Sequence, residues 1–432
     1  MTRLLVTGGT VVDPVAGRAA PGDVLVDDGA IVATGAPGSL AAAAATALDA
    51  RGLLVLPGLV DMHVHLREPG FEYKETIATG VAAALAGGFA SVACMNDSAA
   101  VTQYILDRAR LAGGAHVYPI GALSVGLRGE CLAEIGEMHR AGIVAVSDDG
   151  RPVMDAGLMR RALEYTRLFG LPVIVHEEDL DLACGGAMNE GITALRLGLR
   201  GVPAAAEDVM VARDVALVAL TGGRLHVAHL STAGAVALVR DAKARGLAVT
   251  AEVTPHHLFL TEEAVDGYST NAKMAPPLRT RADVEALRAA LADGTIDAIA
   301  TDHAPHHHDE KDVEFDQAAN GVVGLETALP LALRLVAEGV CDLPTLVARM
   351  TVGPARILGI PAGTLAPGAP ADLTLVDPER RWKVEARTFR TKGRNTPFEG
   401  WEMTGRAAAV VVGGRLAYDD RAAARSALRS AS

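Results

Sequence analysis

The chain has 432 residues, half of them hydrophobic and 3% aromatic, with a formal charge of −12 at neutral pH. That length accommodates one (β/α) barrel plus a smaller module, with a core built from Ala, Val and Leu rather than from large rings. Arg and Lys are scattered through an acidic chain, which excludes the electrostatic footprint of a nucleic-acid or anionic-membrane binder and leaves small-molecule chemistry.

Cys94, Cys131, Cys184 and Cys341 lie far apart without a C-x-x-C pair, so neither a disulfide framework nor a thiolate zinc site is expected. No apolar run approaches the roughly 18 residues of a membrane span, and the first residues enter a strand and turn without a cleavable apolar segment. The expected location is the cytoplasm.

Residues 3–57 alternate short β-type runs with turns at Gly8-Gly9, Pro21-Gly22 and Asp28-Gly29. The same pattern returns near the end, at 371–376 and 408–416. One small β-sandwich domain assembled from both termini, residues 1–57 plus 363–432, is the economical reading. Between them, at 58–362, apolar runs alternate with helical stretches. Strands are predicted at 58–66, 89–95, 115–120, 143–147, 172–176, 224–229, 247–252 and 296–301, and helices at 74–86, 154–169, 207–220, 232–245 and 281–291. Eight such repeats predict an α/β fold, a (β/α)8 TIM-type barrel, with its site at the C-terminal ends of the strands.

The first barrel run leads into Asp61-Met62-His63-Val64-His65-Leu66-Arg67-Glu68-Pro69-Gly70. Side chains two apart on a strand share a face, so His63 and His65 can converge on one metal ion. Further strands end in Asp148-Asp149-Gly150, His176, His229 and Asp302. Each has a plainer reading alone: Asp149 suits a turn, and His176 suits a helix start. Together they place six imidazole or carboxylate groups at one barrel mouth, more than one catalytic zinc needs, so two metals are expected. His226 is three residues from His229 and is assigned to structure. His116 and His139 read as packing or surface residues. The pair His256-His257 and the run His306-His307-His308 are set aside because adjacent histidines diverge.

These stretches, with Tyr73-Lys74-Glu75-Thr76, residues 251–257, 300–306, 324–327 and 392–398, resemble the class I dihydroorotases of the cyclic amidohydrolase superfamily from end to end. The resemblance implies interconversion of N-carbamoyl-L-aspartate and (S)-dihydroorotate in de novo pyrimidine synthesis. It implies two zinc ions, one held by His63, His65 and Asp302, the other by His176 and His229, with Asp149 bridging. Asp302 would be the catalytic proton carrier. His65, Arg67, His306, Asn320 and Gly321 would meet substrate, the last two from a loop following Asp309-Glu310-Lys311. The partners it admits are a small-molecule substrate, a homodimer, and aspartate carbamoyltransferase, with no nucleic acid and no membrane.

Two departures stand out. The family usually reads Met-Pro-Asn-Thr-x-Pro-Val after strand two, whereas Met95 here runs directly into Asn96, as though about six residues with a substrate-binding Asn were missing. Many relatives also have Asn where this chain has Ala275. Hydantoinases and allantoinases form the alternative within the same chemistry, but they bridge their metals with a strand-four lysine, and residues 141–150 contain none. A non-catalytic subunit scaffolding aspartate carbamoyltransferase is the alternative from another class; such subunits tend to lack the zinc ligands.

Overall fold

The computed structural model describes residues 3–40, 44–95 and 99–421. Eight parallel strands form the central sheet: Leu59–Val64, Phe89–Met95, His116–Ala122, Ala145–Ser147, Val173–Val175, Leu225–Val227, Val249–Val253 and Ala298–Ile299. Each pairs with the next in chain order. The seam between last and first is closed beyond Ile299, where Val64 bridges His303 and the His65 amide donates to the His303 carbonyl at 2.9 Å. Every predicted strand is present, and most are shorter than expected by a few residues at one or both ends.

The helices start and stop where side-chain chemistry permits. Thr76 caps Ile77–Gly87 by accepting from the Thr79 amide, so the expected start at residue 74 is three residues early. Thr280 and Asp283 form a reciprocal capping box for Arg281–Asp293. The stretch expected as one helix to residue 169 ends at Thr166 and finishes in a tight turn over Arg167–Phe169.

Barrel-lining residues are small or slender, including Val60, Met62, Ala93, Ile120, Ala145, Ile174 and Ala298, as the low aromatic content requires. The helix Val352–Leu358 packs against this cluster, and the Val60 amide donates to the Met350 carbonyl just before it.

Leu4–Asp13, Arg18–Asp27, Ala30–Gly35, Thr46–Asp49, Leu54–Pro57, Leu373–Lys383, Glu402–Val412 and Arg415–Asp419 form one eight-stranded sheet. Leu54–Pro57 joins the termini: it runs parallel to the first strand and antiparallel to Leu373–Lys383. Leu4, Val24, Ile31, Leu48, Val55, Leu373 and Val411 share one core without a helix residue, so the sheet folds onto itself in the manner of a sandwich. Val12, Leu56, Val376, Val410 and Val412 of this sheet join the main barrel core, and hydrogen bonds fix the junction as well. Gly58 donates to the Asp372 carbonyl at 2.8 Å, and Thr374 Oγ1 accepts from the Leu59 amide while donating to the Gly88 carbonyl.

Gly87 is buried where its helix meets Leu325–Ala337, and a Cβ there would overlap the Leu325 carbonyl. Gly87→Ala should therefore destabilise the fold by about 1–3 kcal/mol through overpacking, read as a lower midpoint in thermal or urea unfolding.

Candidate metal centre

The six expected ligand residues meet at the mouth of the barrel. Asp149 lies between two groups, with one carboxylate oxygen turned to each. Its Oδ2 is 3.2 Å from both His63 Nε2 and His65 Nε2. Its Oδ1 is 3.4 Å from His229 Nε2 and 3.9 Å from His176 Nδ1. Asp302 Oδ1 completes the first group, 3.2 Å from His65 Nε2 and 3.6 Å from His63 Nε2. His176 and His229 face each other at 3.0 Å in the second. The ligand atoms of each group lie within 4.8 Å of one another, the spread a single cation can gather.

Burial and charge act against each other here. Burial opposes ionisation of Asp149, but the surrounding imidazoles, His63 first, hold its carboxyl well below the usual carboxylate range. Asp302 is lowered likewise, against burial, by its bond to His65 and the charge of His63. His63 is the counterpart: burial opposes its proton, yet Asp149 and Glu252 raise its pKa well above the ordinary value. Its Nε2 is fully buried with no well-formed hydrogen bond. An uncapped imidazole nitrogen among carboxylates is where a divalent cation fits, since the cation replaces the proton that now balances the charge.

Ring orientation is set from outside the two groups. Glu252 Oε1 lies 2.7 Å from His63 Nδ1 and its Oε2 lies 3.2 Å from His226 Nε2, while Thr250 Oγ1 meets His226 Nδ1 at 2.9 Å. Burial would raise the Glu252 carboxyl, but His63 and His226 hold it down to about 2. With Nδ1 committed to Glu252, the His63 lone pair sits on Nε2 and faces the mouth. His226 is thus structural, as expected, and its task is to hold Glu252. Glu252 received no role from sequence reasoning; the available signal was a lone charge inside the apolar strand Val249–Val253. Asp61 was also passed over. Its Oδ1 accepts from the amides of His63 and Thr301, each at 3.1 Å, tying the first strand to the turn that carries Asp302.

Three residues at the mouth hold left-handed backbone conformations: Arg67 at φ 59°, His229 at 33° and Asp302 at 46°. Such angles are uncommon outside glycine and concentrate at functional sites. Arg67 Nε donates to the Pro305 carbonyl at 3.3 Å, and one terminal nitrogen lies 3.4 Å from His306 Nε2. His306 also meets the Asn320 carbonyl through Nε2 at 2.8 Å and Glu310 through Nδ1 at 3.2 Å. Burial, with Arg67 nearby, pushes its pKa down to about 4. Gly321 has φ 126° and its α-carbon faces Ala304 and His306 too closely for a side chain. Asn395 binds this rim together, accepting from the His306 amide and donating to the carbonyls of Ala304 and Gly321. A mouth cavity of about 320 Å³ opens beside His65, Arg67, Met95 and Asp149. The expected shortfall after strand two falls at residues 96–98, outside the described residues.

The other histidines divide. His116 bonds Asp372 at 3.2 Å across to the terminal sheet, and His139 stacks on Phe169. His256 and His257 join neither ligand group. The expectation that adjacent histidines diverge is corrected at both pairs: the His256 and His257 rings lie 4.6 Å apart, and His307 and His308 are as close. The His307 and His308 rings lie 4.5 Å apart and form a third, surface grouping with Asp309, because the chain there is a tight helical turn rather than a strand.

Glu252→Gln keeps the side-chain shape and removes its charge. Affinity for zinc as a probe ion, measured by competition with a chromophoric chelator, should fall by about 10- to 100-fold. Wild-type affinity should rise from about pH 6 to 8, because His63 in the metal-free protein binds its proton more tightly than a free histidine and must release it to accept a cation. A flat profile would remove His63 from the ligand set.

A family model described as "Amidohydrolase family" matches residues 54–417. A dihydroorotase from Syntrophotalea carbinolica is 55% identical over 422 residues, covering 96% of this chain and 99% of its own. A dihydroorotase from Anaeromyxobacter dehalogenans is 58% identical over 430 residues, covering 98% and 99%. Among solved structures, the L-hydantoinase (dihydropyrimidinase) from Arthrobacter aurescens superposes with a TM-score of 0.86 at 26% identity, covering 97% of each chain. With a family model over most of its length and full-length relatives more than half identical, the chain belongs to the amidohydrolase family, in the group formed by the dihydroorotases.

Proposed function

We propose that the protein is a zinc-dependent dihydroorotase, opening (S)-dihydroorotate to N-carbamoyl-L-aspartate and closing it again. The observation that carries this reading is the division of Asp149 between two imidazole groups, in a chain more than half identical to curated dihydroorotases. His63, His65 and Asp302 would hold one zinc, His176 and His229 the other, and Asp149 both. Ions bound there supply hydroxide near neutral pH by lowering the pKa of water.

The remaining work belongs to the chain. Asp302, ionised at the mouth, takes the proton of the attacking water and delivers it to the leaving ring nitrogen, and it runs the same transfer backwards in ring closure. Arg67 offers its planar fork to the substrate carboxylate, a geometry lysine does not reproduce. Its Nε is held by the Pro305 carbonyl, so the fork is oriented before substrate arrives. His306 and the Asn320–Gly321 backbone form the rim beside Arg67, and His65 borders the mouth cavity with Arg67. The same reading divides the chain into a barrel over 58–362 and a terminal domain over 1–57 and 363–432, and places the enzyme in the cytoplasm. Among the described residues, no helix is long and apolar enough to cross a membrane.

A hydantoinase is disfavoured by the absence of lysine from residues 141–150. A scaffolding role alone is disfavoured by the assembly of all six candidate ligands at one mouth.

The test is dihydroorotate hydrolysis by the zinc-reconstituted protein, with metal content and intact mass measured on the same sample. Asp302→Asn should lower kcat by about 10²- to 10⁴-fold when compared with wild type at equal measured zinc content. Arg67→Lys should act mainly through a raised KM. Turnover of hydantoins in preference to dihydroorotate, or no turnover by a fully metallated chain of the expected mass, would overturn the assignment.

A further inference from the structure

A second cavity, of about 420 Å³, lies beyond His306 and contains none of the six candidate ligands. Four cations line it: Lys74 and Lys311 from the segments flanking the rim, and Lys392 and Arg394 from the C-terminal stretch. Against them stand Asp312 in the wall and Glu310, which pairs with Lys74 at 2.7 Å. Two carboxylates do not offset four basic side chains, so the wall is cationic in a chain whose overall charge is −12.

Lys311 makes the imbalance acute. It is 6% exposed, and its Nζ donates only to the carbonyls of Lys273 and Ala319, at 3.2 and 2.7 Å. It forms no ion pair with a carboxylate among the described residues. Burial accordingly pushes its pKa down to about 7, and a buried amino group with one hydrogen-bonding position free and no countercharge is one that an incoming anion would return to its charged form. Lys392 and Arg394 are exposed, and their described bonds are to backbone carbonyls. These donors come from three separate segments of the chain and line one cavity. That arrangement suits a tetrahedral group with oxygens in several directions better than a flat carboxylate. A cluster of four basic side chains matches a phosphate monoester, which is close to a dianion above about pH 7. Tyr73, half-exposed on the wall and edge-on to His307 with ring centroids 6.1 Å apart, adds an aromatic surface beside the cations.

We propose that this cavity binds the phosphate monoester of a small metabolite, with Lys74, Lys311, Lys392 and Arg394 supplying its charge. A sugar phosphate and a nucleoside monophosphate share this anchoring chemistry.

The test is calorimetric titration of the full-length protein at about pH 7.5 and 0.1 M salt with ribose 5-phosphate, AMP and succinate, before and after chelation of metal. Binding of either ester with and without metal, weakened about tenfold or more in Lys392→Ala/Arg394→Ala and in the single Arg394→Glu, supports the site. The ratio of AMP to ribose 5-phosphate affinity tells whether the aromatic wall reads a nucleoside. Thermal unfolding of each variant checks that it is folded. The proposal is overturned if binding is absent, if it persists unchanged in both folded variants, if it disappears on chelation and so belongs to the metal centre, or if succinate binds as tightly as the esters.

Discussion

Asp149 is a carboxylate removed from water, and the site is arranged around making that tolerable. An isolated buried charge costs several kcal/mol, so one of its oxygens is set against the two imidazoles of the first strand and the other against imidazoles that follow strands five and six. In the metal-free protein the compensating charge is a proton, held most firmly by His63. Cations would replace that proton without rearranging the walls, because the same nitrogen and carboxylate atoms already converge. The electrostatic requirement of one side chain thus explains why residues from strands one, five and six and the turn after strand eight meet at one point.

That convergence depends on a scaffold fixed at both ends of the first strand. At its start, Gly58 and Leu59 are hydrogen-bonded to Asp372 and Thr374 of the terminal sheet. Beyond its end, the His65 amide reaches the His303 carbonyl and closes the barrel. Asp61 and Glu252 then set what the strand carries, one bonding the backbone of His63 and the other its ring. The terminal sheet therefore contributes to the site without touching it. The left-handed turns at His229 and Asp302 complete the geometry by bending two chain ends back over the opening.

The rim shows the same economy in a softer form. Asn395, far from the barrel strands in sequence, holds His306 and the carbonyl of Gly321, so the wall opposite Arg67 is set by the C-terminal segment. Glu310 joins that wall to Lys74, and the cationic cavity opens on its other side.

Much of this was legible in the sequence, since the information was local. Alternating apolar runs gave eight strands, and the residue types at their ends, His63, His65, Asp149, His176, His229 and Asp302, were those that bind divalent ions and were the ones that converged. Helix ends shifted by a few residues where a cap such as Thr76 decided the boundary. Glu252, Asp61 and Asn395 were not singled out because their partners lie 189, 240 and 89 residues away and no local period encodes such a pairing. The sequence by itself determined the strand count and the inventory of ligand atoms, because both follow from side-chain chemistry and the two-residue repeat of a strand. Only the tertiary structure decided which oxygen of Asp149 faces which histidines, which nitrogen of His63 is left for a cation, and that Lys74, Lys311, Lys392 and Arg394 share one cavity. Those outcomes depend on barrel closure and on satisfying buried charges across distant segments, which are properties of the folded chain as a whole.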